Sequence, residues 1–183
     1  MRVIAGERGG RRLVAPPGRA TRPTSDRVRE ATFSMLESSM TGIDATLEGA
    51  RVWDLFAGSG AMGIEALSRG AAHATFVDQA RAAVAAVRAN LAALAYGPER
   101  STVVGTDVLN WAGQEQAQVD VVMADPPYVW QGWDLLLARL APLGPLVLAE
   151  TGEELVLPPG WQSLRAKRYG GTVVTLARFS EHQ

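Results

Sequence analysis

Residues 125–128, Asp-Pro-Pro-Tyr, combine the groups needed to hold a flat molecule that bears an amine. The Asp125 carboxylate and the Pro126 carbonyl can each accept one N–H of an NH2 group. Pro127 fixes the shape of the backbone. Tyr128 offers a ring for stacking, as aromatic side chains do on unpaired bases. An exocyclic or amide nitrogen is a poor nucleophile, because its lone pair is delocalised. Two accepted hydrogen bonds favour a tetrahedral nitrogen and aim that lone pair at an electrophilic carbon. The chemistry suited to this set is in-line methyl transfer, driven by positioning and local electrostatics. The chain has no cysteine. Methylation of cytosine C5, which needs a thiolate, is therefore disfavoured, and so are disulfides, Cys-ligated zinc and iron–sulfur clusters.

A second candidate lies upstream, in DLFAGSGAMG at 54–63. Gly58 and Gly60 allow a tight turn and a close backbone approach to a ligand. With Gly63 they satisfy the dinucleotide spacing, and Asp78 follows Gly58 by twenty positions. The motif alone leaves NAD and S-adenosylmethionine both open. Asp54 favours the second, because a carboxylate there repels a pyrophosphate and attracts the ammonium of a methionine moiety. Asp78, with Gln79 beside it, is placed to accept the ribose hydroxyls. Asp107 can meet the exocyclic amine of adenine with Val108 against the ring, or it can simply cap a helix. Phe56, Ala57 and Ser59 complete the candidate cofactor loop. No metal is required.

These residues need elements to position them. Short apolar runs at 52–56, 74–77, 102–105, 119–124 and 146–149 alternate with helical patterns at 58–69, around 84–94 and at 133–140. The alternation implies a mostly parallel sheet with helices on both faces. Asp54, Asp78, Asp107, Asp125 and Glu150 all fall in or just beyond the C-terminal part of a strand. That edge is where open α/β sheets bind ligands. Runs at 164–169 and 172–178 flank Gly170-Gly171 and predict an antiparallel hairpin. At the N-terminus, 2–5 and 11–15 predict two short strands. Ser25 and Asp26 predict the start of a helix over 26–39, with Val28, Ala31, Thr32, Met35 and Leu36 facing the body and Arg27 and Arg29 elsewhere.

The formal net charge of −1 hides an asymmetry. Residues 1–30 carry eight arginines and three acids, whereas the other 153 residues carry ten basic and sixteen acidic side chains. Arg2, Arg8, Arg11, Arg12, Arg22, Arg27 and Arg29 are the candidate phosphate contacts of a nucleic-acid clamp. His73 and His182 carry no partner pattern. No apolar run reaches the roughly 18 residues of a membrane span, and the N-terminus has no secretory h-region. A cytoplasmic protein is expected, with no membrane partner.

Taken together, MRVIAGERGGRRL, TRPTSDRVREATFSML, DLFAGSGAMGIEALSRGA and DPPY resemble the RsmD family of bacterial 16S ribosomal RNA guanine-N2 methyltransferases. DPPY alone is shared by many amino-methyltransferases. The resemblance implies a Rossmann-like class I methyltransferase fold with a seven-stranded sheet, mostly parallel, and a C-terminal antiparallel hairpin. It implies S-adenosylmethionine as donor and guanine N2 as acceptor, in 16S RNA of the small ribosomal subunit or its assembly intermediate. On the family pattern the glycine loop and Asp78 bind cofactor, Asp107 lies at the adenine, and Asp125, Pro126, Pro127 and Tyr128 hold the target base. The TRPTSDRVRE block is expected to close over the cofactor and face RNA. The expected organisation is a basic extension over 1–45, with a β-hairpin and helix, and a methyltransferase domain over 46–183. A monomer is expected. The alternatives are an adenine-N6 methyltransferase acting on DNA and a catalytically silent RNA-binding assembly factor.

Overall fold

The computed structural model describes residues 1–17, 25–43, 45–115 and 117–180. Helix α1 spans Asp26–Thr41, and the Ser25 side chain caps it by accepting the Val28 N–H. Strand β1 (Arg51–Leu55) leads into α2 (Ala61–Ser68). Then follow β2 (His73–Val77), α3 (Arg81–Ala93), β3 (Ser101–Val104), α4 (Val108–Ala112) and β4 (Val121–Ala124). The chain ends with α5 (Trp133–Leu140), β5 (Leu146–Thr151), β6 (Trp161–Tyr169) and β7 (Thr172–Phe179). The sheet order is β3-β2-β1-β4-β5-β7-β6. Strands β1 to β5 pair in parallel, while β7 pairs antiparallel with both β5 and β6.

Successive strand residues feed opposite faces, as the pleat requires. Val52, Val121, Leu148 and Leu176 join one apolar cluster with Phe33, Leu36, Ile64 and Phe76. Trp53, Val122, Val147 and Ala177 join the other, with Leu136, Leu137 and Leu140 of α5. Each fully buried leucine contributes roughly 1.5–3 kcal/mol. The N-terminal segment is not a separate layer, because Val3 and Leu13 share the first cluster with α1 and the sheet.

Two local expectations fail here. The predicted N-terminal strands reduce to an isolated antiparallel bridge between Arg2 and Arg12 around a short 3-10 turn at Gly6–Arg8. The cause is Glu65 on α2, whose carboxylate accepts the amides of Ile4 at 2.7 Å and Ala5 at 3.0 Å. Those N–H groups are therefore lost to a ladder. Helix α1 buries Thr32, Met35 and Leu36 as expected, but its inward face is shifted toward other residues as well. Phe33 and Arg29 are buried, whereas Val28 and Ala31 are only partly so.

Among the described residues no helix is long and apolar enough to cross a membrane, and no group of three His, Cys, Asp or Glu could hold a metal ion.

Candidate active site

The chain runs from β1 to β2 to β3 in one direction across the sheet, and from β4 to β5 in the other. The crevice at that reversal, outside the C-terminal ends of β1 and β4, is where such sheets bind ligands. Both sequence-predicted loops open there. The glycine loop turns with Gly58 at φ 57° and Gly60 at φ 78°, backbone that favours glycine. Gly60 has a second constraint. A Cβ there would lie 3.2 Å from Val87 and 3.3 Å from Phe76. The expected helix over 58–69 accordingly begins only at Ala61.

Carboxylates hold this loop from below. Asp78 Oδ2 accepts the Gly58 N–H at 3.0 Å, and its Oδ1 accepts the Ala80 N–H at 2.9 Å. Asp54 Oδ2 accepts the Gly63 N–H at 2.8 Å. Asp54 is buried. Loss of solvent above all, opposed by the Gly63 N–H and reinforced by the charges of Asp125, Asp78 and Glu150, raises its pKa to about 8. Four acids from β1, β2, β4 and β5 thus feel one another. A cavity of about 10 Å³ lies among Asp54, Asp125, Glu150, Met62 and Met123, room for about one water. A cation placed at this edge would relieve that repulsion. The donor set therefore fits an ammonium or sulfonium and disfavours a pyrophosphate.

The Asp125–Tyr128 loop follows β4. Asp125 is exposed, while Pro126 is buried. The Trp130 N–H closes a turn onto the Pro127 carbonyl at 2.8 Å. Tyr128 is 58% exposed, yet it is oriented. Its hydroxyl pairs with Thr172 Oγ1 at 2.6 Å, and a Cβ on Gly152 would lie 3.0 Å from its ring. Phe56, at φ 61°, meets Trp130 edge-on at 4.9 Å between centroids, and Trp130 meets Trp133 at 5.5 Å. This aromatic chain ties the glycine loop to the second loop. Aromatic residues just after two strands were its only sequence signal.

Other candidates have structural contacts of their own. Asp107 Oδ1 accepts the Asn110 N–H at 3.0 Å and caps α4. Val108 is buried in the second apolar cluster. Ala57 and Ser59 are nearly buried, and Gln79 is exposed beside Asp78.

The arginine set divides. Arg29 does not face outward. It is 1% exposed, hydrogen-bonds the Arg2 carbonyl and pairs with Asp26 at 3.2 Å. Burial lowers its pKa, opposed by the charges of Glu65, Asp26 and Glu150. It acts as an internal counterion. Arg8 is half-buried, donates to the Leu94 carbonyl at 3.0 Å and sits over Tyr96. Arg2 is exposed and pairs with Asp26 at 3.3 Å. Arg11 reaches the Ala93 carbonyl at 3.4 Å. Arg12 and Arg27 are exposed. Arg22, and the 21–24 part of the TRPTSDRVRE block, lie outside the described residues.

Asn90 on α3 is a residue that motif reading missed. It is 2% exposed. Its side chain accepts the Val14 N–H at 2.8 Å and donates to the Val14 and Ser59 carbonyls, each at 2.9 Å. One amide thus joins the N-terminal segment to the glycine loop. Asn90→Ala orphans the buried Ser59 carbonyl and the part-buried Val14 groups, and is expected to cost about 1–3 kcal/mol in denaturant unfolding. The Val14 amide should then exchange with solvent faster. Unchanged stability and exchange would refute the clamp.

Comparison with known proteins gives a consistent set. The family model described as conserved hypothetical protein 95 (Cons_hypoth95) matches residues 1–178. Ribosomal RNA small subunit methyltransferase D of Haemophilus influenzae is 32% identical, covering 93% of this chain and 89% of that protein. The protein of the same name in Escherichia coli K12 is 39% identical over 128 residues, 70% of this chain and 60% of that one. The solved structure of yhhF from Escherichia coli superposes with a TM-score of 0.83 at 32% identity, covering 100% of this chain and 99% of that one.

Proposed function

Because this chain belongs to the conserved hypothetical protein 95 family and its relatives are small-subunit ribosomal RNA methyltransferases, we propose that it methylates 16S ribosomal RNA from S-adenosylmethionine, at N2 of a guanine. The observation that carries the reading is the meeting of the two loops at one sheet edge, over a shared set of carboxylates.

Bound S-adenosylmethionine supplies an electrophilic methyl group on a cationic sulfur. The chain's own residues do the rest. The backbone of the loop at Gly58–Gly60 approaches the methionine moiety, and Asp54 beneath it offsets the ammonium charge. Asp78 and Gln79 flank the ribose position, and Asp107 lies at the adenine end. Tyr128 stacks on the flipped base. The Asp125 carboxylate and the Pro126 carbonyl accept the two N–H bonds of the exocyclic amine. With the donor bound, its methyl group would pass to the nitrogen lone pair as the methyl–sulfur bond is lost, and the surplus amine proton would leave to solvent. Arg12 and Arg27, exposed on the N-terminal side, meet RNA phosphates.

The test offers labelled S-adenosylmethionine with hypomethylated small subunits, free 16S RNA and duplex DNA in parallel. Label in RNA, recovered as N2-methylguanosine after nuclease digestion, is the expected result. Label in DNA alone, as N6-methyladenine, would favour the DNA reading. RNA binding with no label in any substrate would favour the silent assembly factor.

A further inference from the structure

We propose that the outer edge of β6, the last strand of the sheet among the described residues, is at Arg165, Lys167 and Arg168 a second RNA-phosphate surface that holds the strand flanking the target base; this rests on the RNA-methyltransferase reading above. The charge distribution motivates it. Between residues 31 and 160 there are six basic and fifteen acidic side chains. Over 161–179 there are four basic side chains and no acidic one. The chain's only lysine is among them. A +4 hairpin therefore stands on a strongly acidic body, and the arginine-rich N-terminus is not the sole cationic region.

Its position is informative. Three of the four cations lie in the half of β6 nearest the catalytic edge. The sheet register places Lys167 opposite Val174, which is opposite Glu150 of the acidic set. Arg168 lies opposite Val173, which is opposite Thr151. The next residue, Gly152, packs under the Tyr128 ring, and Arg168 Nη1 donates to its carbonyl at 3.3 Å. The hydroxyl of Thr172, at the start of β7, holds that of Tyr128 at 2.6 Å. The stacking ring and the cationic edge are therefore built from the same few residues.

The cations also straddle the edge. Arg165 and Lys167 pair opposite Leu176 and Val174, whose side chains enter the cluster under α1. Arg168 alternates to the other face. All three are exposed, and Lys167 Nζ lies 5.3 Å over the Tyr169 ring. Charges on an edge strand can serve only to block strand pairing. That role predicts no concentration of charge beside the base-binding ring. A backbone crossing the edge would meet cations on both sides, and its phosphates are the chemical complement.

The test compares full-length protein with the triple variant R165E/K167E/R168E and with R178E, which removes a cation at the far end of the same hairpin. The triple variant is expected to raise the KM for RNA at least tenfold and to flatten the salt dependence of RNA binding by about 2–3 in log–log slope, at roughly one per phosphate contact. Its affinity for S-adenosylmethionine should be unchanged. R178E should match wild type, and the triple Arg/Lys-preserving variant R165K/K167R/R168K should retain RNA affinity. If the triple variant keeps the wild-type salt slope, the surface is wrong while the methyltransferase reading stands. If it self-associates with unchanged RNA binding, edge protection is its role and the surface is again wrong. A wild-type protein that binds no RNA would overturn both.

Discussion

Asp125→Ala is expected to lower kcat for methyl transfer by about 10²–10³-fold, the scale for removing one preorganised hydrogen-bonding group from a transition state. The carboxylate is exposed at the end of β4 and lies outside the apolar clusters. Stability should therefore change by no more than about 0.5 kcal/mol. RNA binding should be largely kept, because Tyr128 is oriented by Thr172 and Gly152 and does not depend on Asp125. Asn at this position keeps one acceptor oxygen and should retain more activity than Ala. Single-turnover transfer of a labelled methyl group separates this loss from binding. Turnover within about threefold of wild type would remove Asp125 from the chemistry. The change has a second consequence. The Asp125 charge raises the pKa of Asp54, so its removal should lower the pH at which Asp54 ionises.

Much of this site was legible because its parts are periodic or rigid. Continuous apolar runs ending in an acid mark buried parallel strands, and glycine at 58 and 60 marks a turn that only small residues enter. What escaped is polar and long-range. Glu65 reads as an ordinary surface acid within GIEALS, yet it is fully buried because residues 4 and 5 lie across it. Arg29 breaks an apolar period and so reads as solvent-facing. Asp26 is its neighbour one turn back on α1, but Glu65 on α2 and Glu150 on β5 come from elements that no local pattern joins to it. Asn90 behaves alike, since Val14 and Ser59 are 76 and 31 positions away. Sequence periodicity reports which face is apolar. It carries no record of which buried polar groups will satisfy one another across the fold.

Asp54→Asn should separate binding from stability at that crossing point. The native state holds the Asp54 proton far more tightly than the unfolded chain does, with a pKa of about 8 against 3.8. Because the folded value is the higher one, the stability linked to this proton is fully present below about pH 4. It is lost progressively as pH rises through 8. At 1.36 kcal/mol per pH unit, the cost at alkaline pH is on the order of 5 kcal/mol. Asparagine keeps an oxygen for the Gly63 N–H and removes the titration. The variant should match wild type near pH 4 and melt at higher temperature near pH 8.5. A cationic cofactor acts on wild type in the opposite direction, because a nearby positive charge favours the carboxylate. S-adenosylmethionine should therefore raise the wild-type Tm at pH 8.5 more than it raises that of the variant. S-adenosylhomocysteine, which keeps the ammonium but lacks the sulfonium, divides the effect between the two charges. A similar gain for both ligands would assign Asp54 to the ammonium, whereas a gain confined to the methylated one would assign it to the sulfur. If the variant melts like wild type at every pH, Asp54 is ionised throughout and the repulsion among the four carboxylates is not what prepares this edge for a cation.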